Sequence, residues 1–209
     1  MSILNQIAHL QGRRDEVPNQ QLARQLAETR DREGIQEIAA NLWNPDVDIA
    51  NDCVKVLYEV GYLAPELIAD YVGDFIKLLK SKHNRLVWGG MLALSTIAAL
   101  KSDTITQHFA EIRRAMEQGS VITVDNGVKT LAIAAAGDRA RSQVIFPYLL
   151  DHLRTCRPKD VPQHSESTLV AVNGQNKDEF IAVLEQRMGD LSGSQAARVR
   201  KVIREAGKR

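Results

Sequence analysis

His152 and Cys156 stand four residues apart, one turn of a helix, and an imidazole and a thiol so spaced can share a transition metal. Two ligands do not make a tetrahedral site, and no third or fourth lies nearby in sequence, so no metal is expected. His108 and His152 fall on or beside apolar stripes, where a histidine ordinarily serves as an inter-helix packing residue. His83 lies in a loop and His164 begins a segment after a loop; neither has an evident partner in sequence. Trp43 and Trp88 draw notice in a chain that is only 5% aromatic. Such rings can stack on a base or a partner side chain. They can equally fill gaps in the core, and packing is the expectation because a large ring buries much area. Tyr58, Tyr62 and Tyr71 fall at similar positions.

No catalytic set emerges. The chain has no P-loop, no Gly-x-Gly-x-x-Gly, no His-Glu-x-x-His and no Gly-x-Ser-x-Gly elbow. Gly73 and Gly89-Gly90 sit within helical patterns, so they are not phosphate loops. No catalytic residue and no cofactor are expected. The last segment is basic: Arg198, Arg200, Lys201 and Arg204, then Lys208 and Arg209, opposed after Ser192 only by Glu205. These cations can contact phosphate in a salt-sensitive, sequence-blind manner. They also suit a helix C-terminus and the polar outer face of a terminal unit. Ala197, Val199, Val202, Ile203 and Ala206 give that helix one inward stripe.

Composition narrows the function classes. The chain is 44% apolar and 25% charged, which is ordinary for a folded protein and excludes a disordered one. Its net charge of +1 supplies no global field toward nucleic acid or membrane. Residues 1–104 carry 11 basic and 14 acidic side chains, against 16 and 12 in the remainder, so the first half opposes nucleic-acid binding. Two cysteines, Cys53 and Cys156, make no disulfide framework and read as reduced thiols. No apolar run reaches the roughly 18 residues that span a bilayer. The first residues lack the basic stretch of a signal peptide. A cytoplasmic protein without a membrane partner is expected.

The elements that would position these residues are helices. Breaks at Val17-Pro18, Asn44-Pro45, Pro65, His83-Asn84, Ser102-Asp103, Gly119-Ser120, Gly137-Asp138, Pro158 to Pro162, Gly174 and Ser192-Gly193 separate segments of helical apolar spacing. Asp46, Asn84, Ser102 or Asp103, and Asp138 are placed to cap first-turn amides. An internal repeat then organises the whole chain. A shift of 37 residues superposes Ile35, Val72, Phe109 and Phe146. It also superposes Ile38, Phe75, Ile112 and Leu149, and then Leu42, Leu79, Met116 and Leu153. Preceding segments give Leu57, Leu94 and Leu131, with Val54, Met91 and Val128. One added residue continues the series to Leu184, Met188 and Leu191. Two helices per such period is the signature of a solenoid, whose units bury their wide apolar faces against neighbours. Val121 to Val128 reads by propensity as a hairpin around Asn126-Gly127. The register instead sets Gly127 on Gly90 within a helix, and register is given the greater weight because packing overrides local preference.

These residues resemble the HEAT-repeat family. Asn44-Pro45-Asp46-Val47 followed by Val56-Leu57-Tyr58-Glu59-Val60-Gly61 looks like a HEAT first helix. Asn84-Arg85-Leu86-Val87 with Ala93-Leu94-Ser95-Thr96-Ile97 is a second copy, and Thr130 to Gly137 a third. The family's arginine after the entry valine is here Asp48, and Trp88 in the second copy. The resemblance implies an all-α fold, a right-handed α-α superhelix of about five HEAT-like helix pairs in a single domain over residues 1–209. The divisions are a cap at 1–16, repeats at 17–43, 44–81, 82–119, 120–157 and 163–191, and a basic terminal helix at 192–209. It also implies that second helices line a concave, ligand-facing side. The 37-residue register sets Asp70 against Gln107, Asp74 against Glu111, and Lys77 against Arg114 and then Asp151, with Arg141 nearby. Such a mixed-charge face is equally a peptide groove or a solvated surface. The expected function is a non-catalytic protein–protein interaction or scaffolding module, its partner another protein or a peptide. The alternative is a nucleic-acid binder related to the HEAT-like DNA alkylation-repair glycosylases. Trp88, however, is followed one turn later by Leu92, with no carboxylate beside it. HEAT-like bilin lyases share only the generic repeat with this chain.

Overall fold

The computed structural model describes residues 2–209, and among these every regular element is helical. In chain order the α-helices are α1 (Val17–Thr29), α2 (Arg32–Ala40), α3 (Val47–Leu63), α4 (Val72–Leu78), α5 (Asn84–Ile97) and α6 (Ser102–Gln107). They continue with α7 (Phe109–Gln118), α8 (Val121–Ala135), α9 (Arg139–Thr155), α10 (Val161–Thr168), α11 (Lys177–Arg187) and α12 (Gly193–Gly207). The chain divides into two compact units. One runs through Lys101 and adds Ala110–Asn126; the other joins Ser102–Phe109 to Gly127–Arg209.

The helices begin where short polar side chains satisfy orphan amides. Asp31 accepts from the Gly34 N–H at 2.9 Å, Asp46 from Asp48 at 2.9 Å, and Asp138 from Arg141 at 2.8 Å. Asn84 is the first residue of α5 and His83 takes the cap position, one residue earlier than the sequence implies. The segment after Pro65 is not one helix. Two 3-10 turns, Pro65–Leu67 and Ala69–Tyr71, precede α4. α9 runs unbroken through Pro147, whose ring removes one hydrogen bond from the helix.

Within the first unit, α3 is the hub and packs against α1, α2 and α5, while α5 also packs on α4. Glycine allows the close approach. A Cβ on Gly89 would meet Val54 of α3 at 2.8 Å, and one on Gly90 would meet the Phe75 carbonyl oxygen and Leu78 Cβ of α4, both at 3.0 Å. In the second unit α9 packs on α6, α10 and α11, and α12 packs on α10 and α11. Most positions of the repeat register are buried, although Val72, Phe109, Met188 and Leu191 are only partly so. Ile38, Phe75, Ile112 and Leu149 are fully buried, as are Leu57, Leu94 and Leu131. Val121 to Val128 is helix, the first half of α8, with Thr123, Gly127 and Val128 buried. No helix among the described residues is long and apolar enough to cross a membrane.

Candidate binding surfaces

In the first unit, the turn that follows α4 and the helix α7 bound a groove of about 610 Å³. Leu79, Lys80 and Ser81 form one wall; Ala110, Glu111, Arg114, Ala115 and Gln118 form the other. Ile112 and Met116, on the opposite side of α7, are buried, so core burial orients the helix and turns its polar side to the groove. Glu111 and Arg114 therefore stand on one wall, and Lys80 faces the same groove; their register partners Asp74 and Lys77 do not line it. The groove carries both signs of charge beside the small side chains of Ala110 and Ala115.

The other residues assigned to this face have local partners. Lys77 reaches Asp74 at 3.4 Å within α4. Lys101 reaches Asp70 at 2.9 Å and, through that hydrogen bond, holds its carboxyl below the ordinary carboxylate range. In the second unit Gln107 is exposed at the end of α6. Arg141 is a clamp: its guanidinium donates to Asp103 at 2.7 Å and to the Ala134 carbonyl at 3.0 Å. Asp151 holds Arg154, which also reaches Glu179 at 3.0 Å. A second pocket, of about 660 Å³, lies in this unit between the start of α9 and the Val170–Asn176 segment, with Phe146, Pro147 and Glu179 on its walls.

The basic helix α12 is partly engaged. Arg198 makes a two-pronged pair with Glu166 of α10, at 2.9 and 2.6 Å, which lowers the Glu166 pKa. Lys208 pairs with Glu205. Arg200, Lys201 and Arg204 are exposed. Ala196, rather than the exposed Ala197, belongs to the buried stripe.

The aromatics divide. Trp88 packs near Tyr58, ring centres 6.2 Å apart, and Tyr58 meets Tyr62 edge-on at 6.2 Å. Trp43, by contrast, is 52% exposed. It sits in the 3-10 turn Asn41–Trp43 that follows α2, which buries Leu42 instead. Sequence reasoning passed over Lys55. This lysine lies in the otherwise apolar middle of α3, only 6% exposed in its side chain, with Glu16 at 2.8 Å and Glu59 at 2.6 Å. Burial alone would depress its pKa, but the two carboxylates outweigh that and hold it above the ordinary lysine value. A charged residue interrupting an apolar run, with glutamate four residues on, is the signal that marks it. Cys53, beside it, is buried, and its thiol pKa is pushed up to about 12 by burial and then by the nearby Asp52 and Glu37 carboxylates.

His164 also departs from expectation. It is buried in α10, and its Nδ1 lies 2.9 Å from His152 Nε2 in the last turn of α9. With Cys156 the two histidines form a cluster whose ligand atoms all lie within 4.8 Å of one another.

Comparison with protein-family models and with curated proteins gives no match. Solved structures do match. An engineered protein of the Northeast Structural Genomics Consortium superposes with a TM-score of 0.69 at 15% identity, over 100% of this chain and 98% of that one. A designed armadillo repeat protein in complex with the peptide (KR)4 gives 0.69 at 14% identity, over 90% and 85%. A computationally designed armadillo repeat protein for modular peptide recognition gives 0.64 at 14% identity, over 97% and 98%. The fold is an armadillo/HEAT-like repeat solenoid.

Proposed function

We propose that this solenoid is a non-catalytic protein-binding module and that the groove between α7 and the turn after α4 holds an extended peptide. One observation carries the reading. The polar side of α7 and the turn after α4 leave an open trough of about 610 Å³ in which Lys80, Glu111 and Arg114 stand beside small side chains. Mixed charge beside small residues suits a backbone lying close to the wall, with charged side chains on both edges. Two solenoids similar in fold support it, one in complex with a peptide and the other designed for modular peptide recognition. Asp74 and Lys77, one turn earlier on α4, extend the same charged side and are proposed as flanking contacts; Asp70 lies on the turn before them.

The test is selection of peptides from a random library on the immobilised full chain, followed by anisotropy titration of the enriched sequence. Charge reversal of both Glu111 and Arg114, in the one variant E111K/R114E, is expected to weaken that peptide about tenfold or more. Failure to enrich any peptide refutes the peptide reading. Enrichment of a peptide indifferent to E111K/R114E moves the site away from this groove.

A further inference from the structure

We propose that His152, Cys156 and His164 form a binding site for a divalent transition metal, with zinc the expected occupant. The three side chains come from two elements joined by a short connection. His152 is in the last turn of α9, Cys156 is its C-cap residue, and His164 is in α10. The Cys156 N–H donates to the His152 carbonyl at 2.8 Å, which fixes the spacing of the first two ligands. The Pro158–Asp160 turn and the packing of α10 on α9 bring in the third.

The donor set selects the metal class. Two imidazoles and a thiolate suit zinc and its neighbours and are poor ligands for magnesium or calcium. The distances are close to those a metal needs. Two nitrogens about 2.0–2.1 Å from a tetrahedral zinc lie roughly 3.3 Å apart, and a thiolate about 2.3 Å from the metal lies roughly 3.6 Å from each nitrogen. Here the two nitrogens are 2.9 Å apart, bridged by a hydrogen bond, and no ligand atom is farther than 4.8 Å from another. The metal would replace the bridging proton, which moves to the outer nitrogen of its ring, and the thiol would release its own proton to solvent. Each imidazole stays neutral, so the ion and one thiolate leave a net single positive charge.

The surroundings fit that role. Leu149 and Leu153 of α9 and Val161 at the start of α10, neighbours of the donors in sequence, are fully buried, and His164 itself is buried. Arg187 donates to the Leu153 and Cys156 carbonyls and so ties α11 to the end of α9 at the two cluster residues' turn. Its charge is balanced by Asp190 at 2.8 Å. Such outer partners orient metal ligands. Three protein donors leave the fourth coordination position to water, and the ion would clip the end of α9 to α10.

The experiment uses tag-free, chelator-treated full chain titrated with cobalt(II) and then zinc. The wild type is expected to bind one equivalent, with a thiolate-to-cobalt charge-transfer band in the near ultraviolet and the intense visible bands of tetrahedral cobalt, both bleached by zinc. Cys156→Ser, at a half-buried position, should lose the charge-transfer band while keeping its helical circular dichroism. His152→Ala should weaken binding about tenfold or more. Zinc should raise the melting temperature of the wild type and leave that of Cys156→Ser unchanged. Only the weak spectrum of hydrated cobalt in the wild type would overturn the assignment. So would a charge-transfer band that survives Cys156→Ser.

Discussion

The approach of α5 to α3 and α4 can be tested with three glycines that differ only in what surrounds them. On an open helix surface, alanine in place of glycine gains up to about 1 kcal/mol. Gly73 of α4 has nothing within 4 Å of where a Cβ would stand, so Gly73→Ala is expected to stabilise by up to that amount. At Gly90 the added carbon would stand 3.0 Å from the Phe75 carbonyl oxygen and from Leu78 Cβ. Neither atom can rotate away, so α4 and α5 must part by a few tenths of an ångström. Overpacking of this kind costs about 1–3 kcal/mol. Offset by the propensity gain, Gly90→Ala should be neutral to destabilising, by up to about 2 kcal/mol. At Gly89 the obstacle is a side chain, with the two Val54 methyls at 2.8 and 3.0 Å. Val54→Ala removes both, so Gly89→Ala combined with Val54→Ala should be less destabilised than the sum of the single changes, by about 1–2 kcal/mol. Urea unfolding followed by circular dichroism reads all five proteins against wild type. Gly90→Ala as stable as Gly73→Ala, or strict additivity of Gly89→Ala with Val54→Ala, would refute this packing and with it the placement of α4, whose following turn supplies a groove wall.

Other consequences concern the charged and reactive side chains. Lys55→Met removes the buried partner of Glu16 and Glu59, and an unfolding free energy lower by about 1–3 kcal/mol is expected. Because the folded Lys55 pKa is raised, its contribution is fully present below the unfolded value of 10.5 and fades only as pH climbs through the folded value; wild type and variant should converge in alkaline urea titrations. Glu166 behaves oppositely. Its folded pKa is depressed by Arg198, so the pair stabilises above pH 4.5 and is lost as pH falls through the folded value. Half-exposed as it is, Glu166→Gln should cost no more than about 1 kcal/mol at neutral pH and nothing in acid. Alkylation of native protein near pH 8, read by mass spectrometry, should label Cys156 well before Cys53, whose thiol is buried and pushed up to about 12; equal labelling would contradict that burial.

The parts of the fold legible in the sequence are those where one force acts with a period. Ile38, Phe75, Ile112 and Leu149 recur because each unit must bury the same row, and all four are fully buried. The same force decides Val121–Val128. Asn126-Gly127 is a strong turn pair in isolation, yet Gly127 and Val128 are buried in α8 in the rows that hold Gly90 and Met91 in α5. What the pattern could not show were the outcomes of local competition. Pro65 and the buried Leu67, Ile68 and Ala69 favour tight turns over a continuous helix before α4. Trp43 stays exposed because the turn after α2 buries Leu42, and one short turn does not bury both. Arg141 is expected near the mixed-charge face with no register partner of its own; an arginine one turn into a helix also reaches the preceding helix end, and its guanidinium donates to the Ala134 carbonyl and Asp103.

His164 shows where periodic reading stops and topology begins. A search for metal ligands along one helix ends with His152 and Cys156, because the next turn of α9 does not exist. In a helix-pair fold, however, the last turn of one helix and the first turns of the next face each other across a short connection. Residues roughly a dozen positions apart across such a junction are therefore neighbours, just as residues four apart are neighbours within a helix. His152 and His164 satisfy that spacing, and their ring nitrogens are 2.9 Å apart. The two sites proposed here then answer to different rules. The proposed groove contacts Glu111 and Arg114 are residues that the repeat register singles out. The His–Cys cluster follows a chain reversal, so it is visible only once α10 is known to fold back on α9. Because the two lie in separate compact units, E111K/R114E and Cys156→Ser each report on their own site: the first should leave cobalt binding unchanged, and the second should leave peptide affinity unchanged.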